Sequence, residues 1–376
     1  MKIARARLRP FRLRLRATLS TARGPISVRE GVLLSLESDS GLVAWGEATP
    51  IDGFGLETVE ESALALVQLG RGLLGRDPVE LPVLLAEAGT RAPGAPAARG
   101  AVDVALHDLR ARGAGLRLAA LLSGCERPLA KTAVSVNALV SACDAREIEA
   151  RARAAVRQGY RTVKLKVGAR SLGEDERRVA ALRRGAGRQT RLRLDANGAW
   201  DEGTAAEALA RFAPHTIEFV EQPVAAGDVS GMARLRASSP IAIAADEAAT
   251  SESDAARVLE SGAADLLVVK PAAAGGLAAA ARIASRAREA GVGVVVTSLL
   301  DSGLGVAAAL HFAVSLEGEG RCCGLATGSL FERDLAHLPD VSLGRLSLPP
   351  GPGLGVVPDP AFLEACASGP WLEISR

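Results

Sequence analysis

Asp195, Glu221 and Asp246 each close an apolar run, in Arg-Leu-Asp-Ala-Asn, Phe-Val-Glu-Gln-Pro and Ala-Ala-Asp-Glu. Lysines bracket them: Lys164 and Lys166 upstream in Val-Lys-Leu-Lys-Val, Lys270 downstream at the end of Leu-Leu-Val-Val-Lys. Carboxylate oxygens from neighbouring strands suit a hard divalent cation, and three of them leave octahedral positions for substrate or water, which favours Mg²⁺. Such an ion stabilises the charge that builds on a carboxylate substrate when its α-proton is removed. Lys164 and Lys166 are two apart, so on a strand both point to one side. Their mutual repulsion is expected to depress the pKa of one, as a lysine base requires. Lys166, nearer the strand end, is the expected base, with Lys164 tuning it and meeting the substrate carboxylate. Lys270 is expected to be a second base or an electrostatic partner.

The spacing says what must hold these groups. From Lys166 to Asp195 is 29 positions, then 26 to Glu221, 25 to Asp246 and 24 to Lys270. A strand, a helix and two short loops fill about that length, so each polar residue marks the C-terminal end of a successive parallel strand, where barrel enzymes place their chemistry. Strands are expected at Ala133–Leu139, Thr162–Val167, Leu192–Asp195, Ile217–Glu221, Ile241–Ala245, Leu266–Lys270, Val292–Thr297 and Cys322–Leu325. Eight are enough to close a barrel, and the fold class is α/β. Asn197 and Glu247 are expected to support the carboxylates, although an Asx turn also explains Asn197. Gly275-Gly276 reads as a tight strand-to-helix turn rather than a phosphate loop.

Before the barrel, Arg12, Arg14 and Arg16 alternate with Phe11, Leu13 and Leu15, the period of a strand with one charged face. It pairs as a hairpin with Val32–Ser38 across a loop containing Gly24-Pro25, and helices are expected over Glu57–Leu73 and Ala97–Arg112. The chain therefore divides into an α+β capping domain at residues 1–128 and a barrel at 129–336. An irregular tail at 337–376 returns to the first domain. Segments Leu19–Glu30 and Pro50–Thr58 are expected to close over the barrel mouth, with Arg23, Arg29, Phe54 and Ser298 as substrate contacts.

Composition excludes several classes. Over 376 residues, 45 basic and 43 acidic side chains leave a net charge of +2 without a long single-sign block, so nothing argues for nucleic acid. The five cysteines are an odd number without CxxC spacing, which suits reduced thiols and a cytoplasmic location better than a disulfide framework or zinc. No apolar stretch of about 18 residues suggests a membrane span. His107, His215, His311 and His337 fall outside the strand ends and read as structural or surface residues. The expected partner is a small-molecule carboxylate, and a homo-oligomer is compatible with the sequence.

Lys164-Leu165-Lys166, Asp195-Ala196-Asn197, Glu221-Gln222-Pro223, Asp246-Glu247 and Lys270-Pro271 with Gly275-Gly276-Leu277 together resemble the enolase superfamily, in its muconate-lactonizing-enzyme subgroup. The resemblance covers nearly the whole chain. It implies a TIM-like (β/α)7β barrel with an N-terminal capping domain completed by the C-terminal tail. It also implies Mg²⁺ on Asp195, Glu221 and Asp246, and acid/base lysines at Lys166 and Lys270. Trp45-Gly46-Glu47-Ala48-Thr49-Pro50 and Gly324-Leu325-Ala326-Thr327-Gly328 are similar to segments of the o-succinylbenzoate synthases. That likeness implies syn dehydration of a succinyl-hydroxycyclohexadiene carboxylate in menaquinone biosynthesis. Lys166 would then move the proton through an enediolate, and Lys270 would stabilise it by charge. Racemisation of N-succinylamino acids is the nearest rival, and muconate cycloisomerisation belongs to the same subgroup. Dipeptide epimerases there carry Asp-x-Asp at the eighth strand, which this chain lacks. Leu300-Asp301-Ser302 stands where relatives carry Glu-Ser-Ser, so the supporting role carried over to Asp301 depends on a side chain one methylene shorter. A binding or scaffold barrel without catalysis is the non-enzymatic alternative.

Overall fold

The computed structural model describes residues 1–21, 24–51, 57–124, 129–142, 144–316 and 321–375. Arg23, Phe54, Cys125 and Cys143 lie outside these. The N-terminal hairpin is longer than its hydrophobic pattern suggests: β1 (Ile3–Thr21) pairs antiparallel with β2 (Gly24–Ser38), and β2 with β3 (Val43–Ala48). The alternation in β1 is realised, with Phe11, Leu13 and Leu15 buried and Arg12, Arg14 and Arg16 exposed. Most of Leu19–Glu30, expected as a capping loop, is strand, and a register shift between Arg14 and Leu19 interrupts the ladder.

Three helices cover this sheet: α1 (Val59–Leu73), α2 (Leu81–Arg91) and α3 (Pro96–Gly113). Thr58 and Glu61 form a capping box that starts α1, satisfying two orphan N–H groups at once. Gly46 allows α3 to press onto β3, since a Cβ there would lie 2.0 Å from the Ala101 carbonyl oxygen. Two buried acids make α3 a wedge between the sheet and the rest of the chain. Asp103 accepts from the backbone N–H groups of Leu277 and Ala278, and Asp108 from those of Trp45 and Leu354. The N–H groups after Gly275-Gly276 are thus taken by a protein carboxylate, in keeping with a tight turn there.

A short β4 (Ala133–Ser135) precedes seven parallel strands in sequential order: β5 (Ala138–Val140), β6 (Thr162–Lys166), β7 (Arg191–Asp195), β8 (Ile217–Glu221), β9 (Ala242–Ala245), β10 (Leu266–Val269) and β11 (Gly293–Val296). Each is joined to the next through at least one helix, the arrangement of a parallel sheet wrapped by helices. The segment expected as a single strand over Ala133–Leu139 is divided. Its first half pairs instead with β12 (Arg345–Ser347) from the tail. Cys322–Leu325 forms no regular strand, only parallel bridges of Cys323 to Val136 and Gly324 to Thr297. Those bridges join the two edges of the seven-stranded sheet and close the (β/α)7β barrel.

Phe219, Ala244, Leu266, Val268 and Val295 fill the barrel interior. Arg193 lies among them at 1 % exposure, its guanidinium 4.7 Å from the Phe219 ring centroid and bonded to Glu218 and the Cys322 carbonyl. The tail is more regular than expected: after a helix at Pro360–Cys366, β13 (Leu372–Ile374) pairs with β1 as the edge of the capping sheet. No helix among the described residues is long and apolar enough to cross a membrane.

Candidate active site

Side chains two apart on a strand share a face, so Lys164 and Lys166, Asp195 above Arg193, and Glu221 above Phe219 all turn into the barrel. The ladder sets their level: Lys166 is the register partner of Asp195, Asp195 of Glu221, and Glu221 of Ala244, two residues before Asp246. Lys270 follows β10 directly. All six line one cavity of about 200 Å³, together with Asn197, Glu247 and Ser298. The wall above them is mostly apolar: Leu19, Ile26, Ile51, Leu139, Leu300 and Ala326.

Asp195, Glu221 and Asp246 are each 2 % exposed, and buried carboxylates demand cations. Lys164 Nζ bridges two of them, at 2.9 Å from Asp195 and 2.7 Å from Glu221. Lys166 Nζ sits 3.0 Å from Asp195 Oδ2 and 2.5 Å from Asn197 Oδ1, and Lys270 Nζ holds both oxygens of Asp246 at 2.7 and 2.5 Å. Among the described residues no three His, Cys, Asp or Glu side chains are gathered closely enough to hold an ion. The ammonium groups stand between the carboxylates instead.

The electrostatics follow from this interleaving. Burial works to strip the proton from Lys164, but Asp195, Glu221 and Asp246 outweigh it and hold the ammonium above the ordinary lysine range. The depression expected from lysine–lysine repulsion is therefore not found at Lys164. Lys270 is raised in the same way, burial being overcome chiefly by Asp246. Burial would raise Asp195, yet Lys164 and Lys166 bring it below the usual carboxylate range. Glu221 is pushed up to about 7 by burial and by the nearby charge of Asp195.

Supporting groups appear where the chain leaves the strands. Asn197 and Gln222 have left-handed backbones, at φ 45° and 43°, conformations that persist only where the surroundings impose them. The Asn197 amide connects Lys166 to Glu247, donating to Glu247 Oε1 at 3.0 Å. Gln222, fully buried, accepts from the N–H groups of Asp246 and Ala248 and so fixes the end of β9 from the end of β8. Its place directly after Glu221 was the available signal, but the sequence reading gave it no role. Thr297, Asn137 and Thr327 also line the cavity and were missed, because hydroxyl and amide residues at strand ends read as ordinary caps. Ser298 Oγ lies 2.9 Å from Thr327 Oγ1.

Two expected site residues are placed elsewhere. Arg29, 6 % exposed, does not line the cavity; its guanidinium is engaged by backbone carbonyls of Thr49, Pro50, Leu299 and Leu300. Asp301 turns away from the cavity, accepting from Thr49 Oγ1 at 3.0 Å and Leu299 N at 2.9 Å. Burial raises its pKa. Its shorter side chain meets the capping domain rather than the carboxylate group.

Known proteins share this plan. Residues 5–123 match the mandelate racemase / muconate lactonizing enzyme N-terminal domain, and residues 147–362 the enolase C-terminal domain-like family. The L-Ala-D/L-Glu epimerase of Bacillus subtilis is 32 % identical over 95 % of this chain and 97 % of its own length. The N-succinyl Arg/Lys racemase of Bacillus cereus superposes with a TM-score of 0.93 at 25 % identity over the full length of both chains. A dipeptide epimerase from Cytophaga hutchinsonii, solved with Mg and the dipeptide D-Ala-L-Val, gives 0.91 at 26 % identity, again over both full lengths. The chain belongs to the enolase superfamily, in its mandelate racemase / muconate lactonizing enzyme family.

Proposed function

We propose that this protein abstracts the α-proton of a small carboxylate with the help of Mg²⁺, and that its two lysines exchange that proton across the α-carbon of an N-acylated amino acid. The observation that carries the reading is the placement of Lys166 and Lys270. They enter one cavity from β6 and β10, with the three carboxylate-bearing strands between them.

The donor set fits the ion in kind: three buried carboxylates lining one cavity, all hard oxygens, with Glu221 raised to about 7 by burial and by the charge of Asp195. Asp195, Glu221 and Asp246 would hold it once the ammonium groups withdraw. A divalent cation there supplies positive charge beside the substrate carboxylate, where negative charge builds as the proton leaves. Lys166, as a neutral amine, takes the proton from one face of the α-carbon, and Lys270, as an ammonium, returns one to the other. Asn197 orients Lys166, Gln222 steadies the backbone of Asp246, and the apolar wall excludes water. Apart from Asp195, Glu221, Asp246 and Glu247, no lining residue among those described is acidic. A free α-ammonium group therefore finds no anionic partner at the eighth segment, whereas an acylated nitrogen, being neutral, needs no anion.

Dehydration to o-succinylbenzoate is the second reading. It uses the same lysines and carboxylates, and the apolar wall of Leu19, Ile26, Ile51, Leu139, Leu300 and Ala326 suits a carbocyclic ring. One experiment separates the two: purified protein with Mg²⁺ in D₂O, offered N-succinylamino acids of either hand and, separately, the succinyl-hydroxycyclohexadiene carboxylate. Deuterium at the α-carbon of both enantiomers supports the first reading, and aromatic product alone the second. Neither product, with Mg²⁺ bound by calorimetry, would turn the reading to muconate cycloisomerisation, and failure to bind Mg²⁺ would turn it to a binding barrel.

A further inference from the structure

Arg29 carries a full positive charge into the boundary between the capping sheet and the barrel, where its guanidinium donates to backbone carbonyls and its charge favours the nearby Asp301 carboxylate. Nη1 donates to the Pro50 carbonyl at 3.0 Å and Nη2 to that of Thr49, both on the chain leaving β3. Nε donates to the Leu300 carbonyl at 3.2 Å and Nη2 reaches that of Leu299 at 3.5 Å, both on the chain leaving β11. One planar fork thus holds two loops from two parts of the fold, a task the single ammonium of a lysine cannot copy. A second tie runs parallel to it. Thr49 Oγ1 donates to Asp301 Oδ1, while Asp301 Oδ2 accepts from Leu299 N. Leu300 has a left-handed backbone at φ 55°, which a residue with a Cβ keeps only when its surroundings impose it.

The loops so tied are walls of the cavity. Ile51, Leu299 and Leu300 line it, but Arg29, Thr49 and Asp301 do not. The lysines and carboxylates stand on β6 to β10 or directly after them, held by the strand ladder and not by these ties. We propose that Arg29, with the Thr49–Asp301 bond, is a positioning residue for substrate. It sets the wall formed by Ile51, Leu299 and Leu300 and thereby governs how tightly substrate is held, leaving the proton-moving groups in place. This rests on the reading of the cavity as the site of α-proton exchange.

The test compares Arg29→Gln, Arg29→Lys, Thr49→Val and Thr49→Ser with the unaltered protein in Mg²⁺, following deuterium exchange into the substrate that turns over. Arg29→Gln should raise KM about tenfold or more while kcat stays within about threefold, the split that marks lost binding rather than lost chemistry. Arg29→Lys, having charge without the fork, should not restore KM; Thr49→Val should show a smaller rise, and Thr49→Ser, keeping the hydroxyl, should stay close to the unaltered value. A fall in kcat at constant KM, full rescue by lysine, or unchanged constants in Arg29→Gln would overturn the assignment. Should no offered substrate react even with the unaltered protein, it is the activity reading that fails. The tie is then read by amide hydrogen exchange: Arg29→Gln or Thr49→Val should speed exchange in peptides covering 298–302, with those covering β6 and β7 unchanged. Equal protection of 298–302 in variant and unaltered protein would overturn it.

Discussion

The cavity floor and the cavity lip are built by opposite means. On the floor the backbone positions side chains: parallel register sets Lys166, Asp195 and Glu221 at one level, and their charges neutralise one another. At the lip a side chain positions backbones, with one guanidinium gathering four carbonyls from two loops. A floor made this way loses chemistry when a side chain changes but keeps its shape. A lip made this way loses shape when one residue changes and leaves the chemistry intact.

The sharpest break in that contrast lies at Lys166. Its replacement by Ala should reduce α-proton exchange from the enantiomer whose α-hydrogen faces it by roughly 10²–10⁴-fold, the usual contribution of a positioned base, while Lys164 remains as a partner of Asp195. Lys270→Ala should in the two-lysine reading abolish exchange from one enantiomer while sparing wash-out from the other, as NMR of each pure enantiomer would show. Equal loss from both enantiomers would instead fit the single-base dehydration mechanism.

Asp195→Asn comes next. Removing one of three carboxylates should weaken Mg²⁺ by at least about tenfold in calorimetry, because ligand charge sets affinity for a hard cation, and activity should recover in part at high Mg²⁺. Ranked third, Arg29→Gln should act on KM and not on kcat, so that the double variant with Lys166→Ala remains as inactive as Lys166→Ala alone.

The smallest effect concerns an acid buried behind the lip. Glu47 is pushed up to about 8 from an ordinary value of 4.5, by burial first and then by the charge of Asp301, with Asp334 adding to it against hydrogen bonds from Ser302. The folded chain therefore keeps a proton that the unfolded chain has released between those values. The corresponding stability is complete below about pH 4.5 and is lost as pH rises toward about 8. The thermal midpoint should accordingly fall between pH 5 and pH 8, and fall less in Glu47→Gln, whose amide imitates the neutral acid; an identical slope in both would remove Glu47 from the account.

The same contrast explains what could be read in advance. The floor was legible because a strand-and-helix period fixes where an acid or lysine must sit, and Asp195, Glu221, Asp246 and the lysines occupy those places. The lip was not. Arg29 falls in a segment that reads as a capping loop and so reads as a substrate contact; only the folded paths of residues 49–50 and 299–300 give it carbonyls to bind instead. Cys322–Leu325 reads as a strand, but its Cys323 and Gly324 each bridge a different neighbour before the chain turns at Thr327, so no continuous ladder forms. Helix α2 is not among the expected elements, although Asp77 and Glu80 form a capping box just ahead of it and Pro82 stands in its first turn, where a missing N–H costs nothing.

The pairing of β13 with β1 has a consequence for the order in which this protein is made. Arg5 and Glu373, which are bonded across that edge, are 368 positions apart. At about 5–20 residues per second of synthesis, on the order of 20–70 s separate the two strands. During that interval β1 has one free edge, a row of unpaired N–H and C=O groups that invites wrong partners. The sequence on that edge is suited to the wait, since Arg5, Arg7 and Arg9 put like charges where a second copy would have to pair.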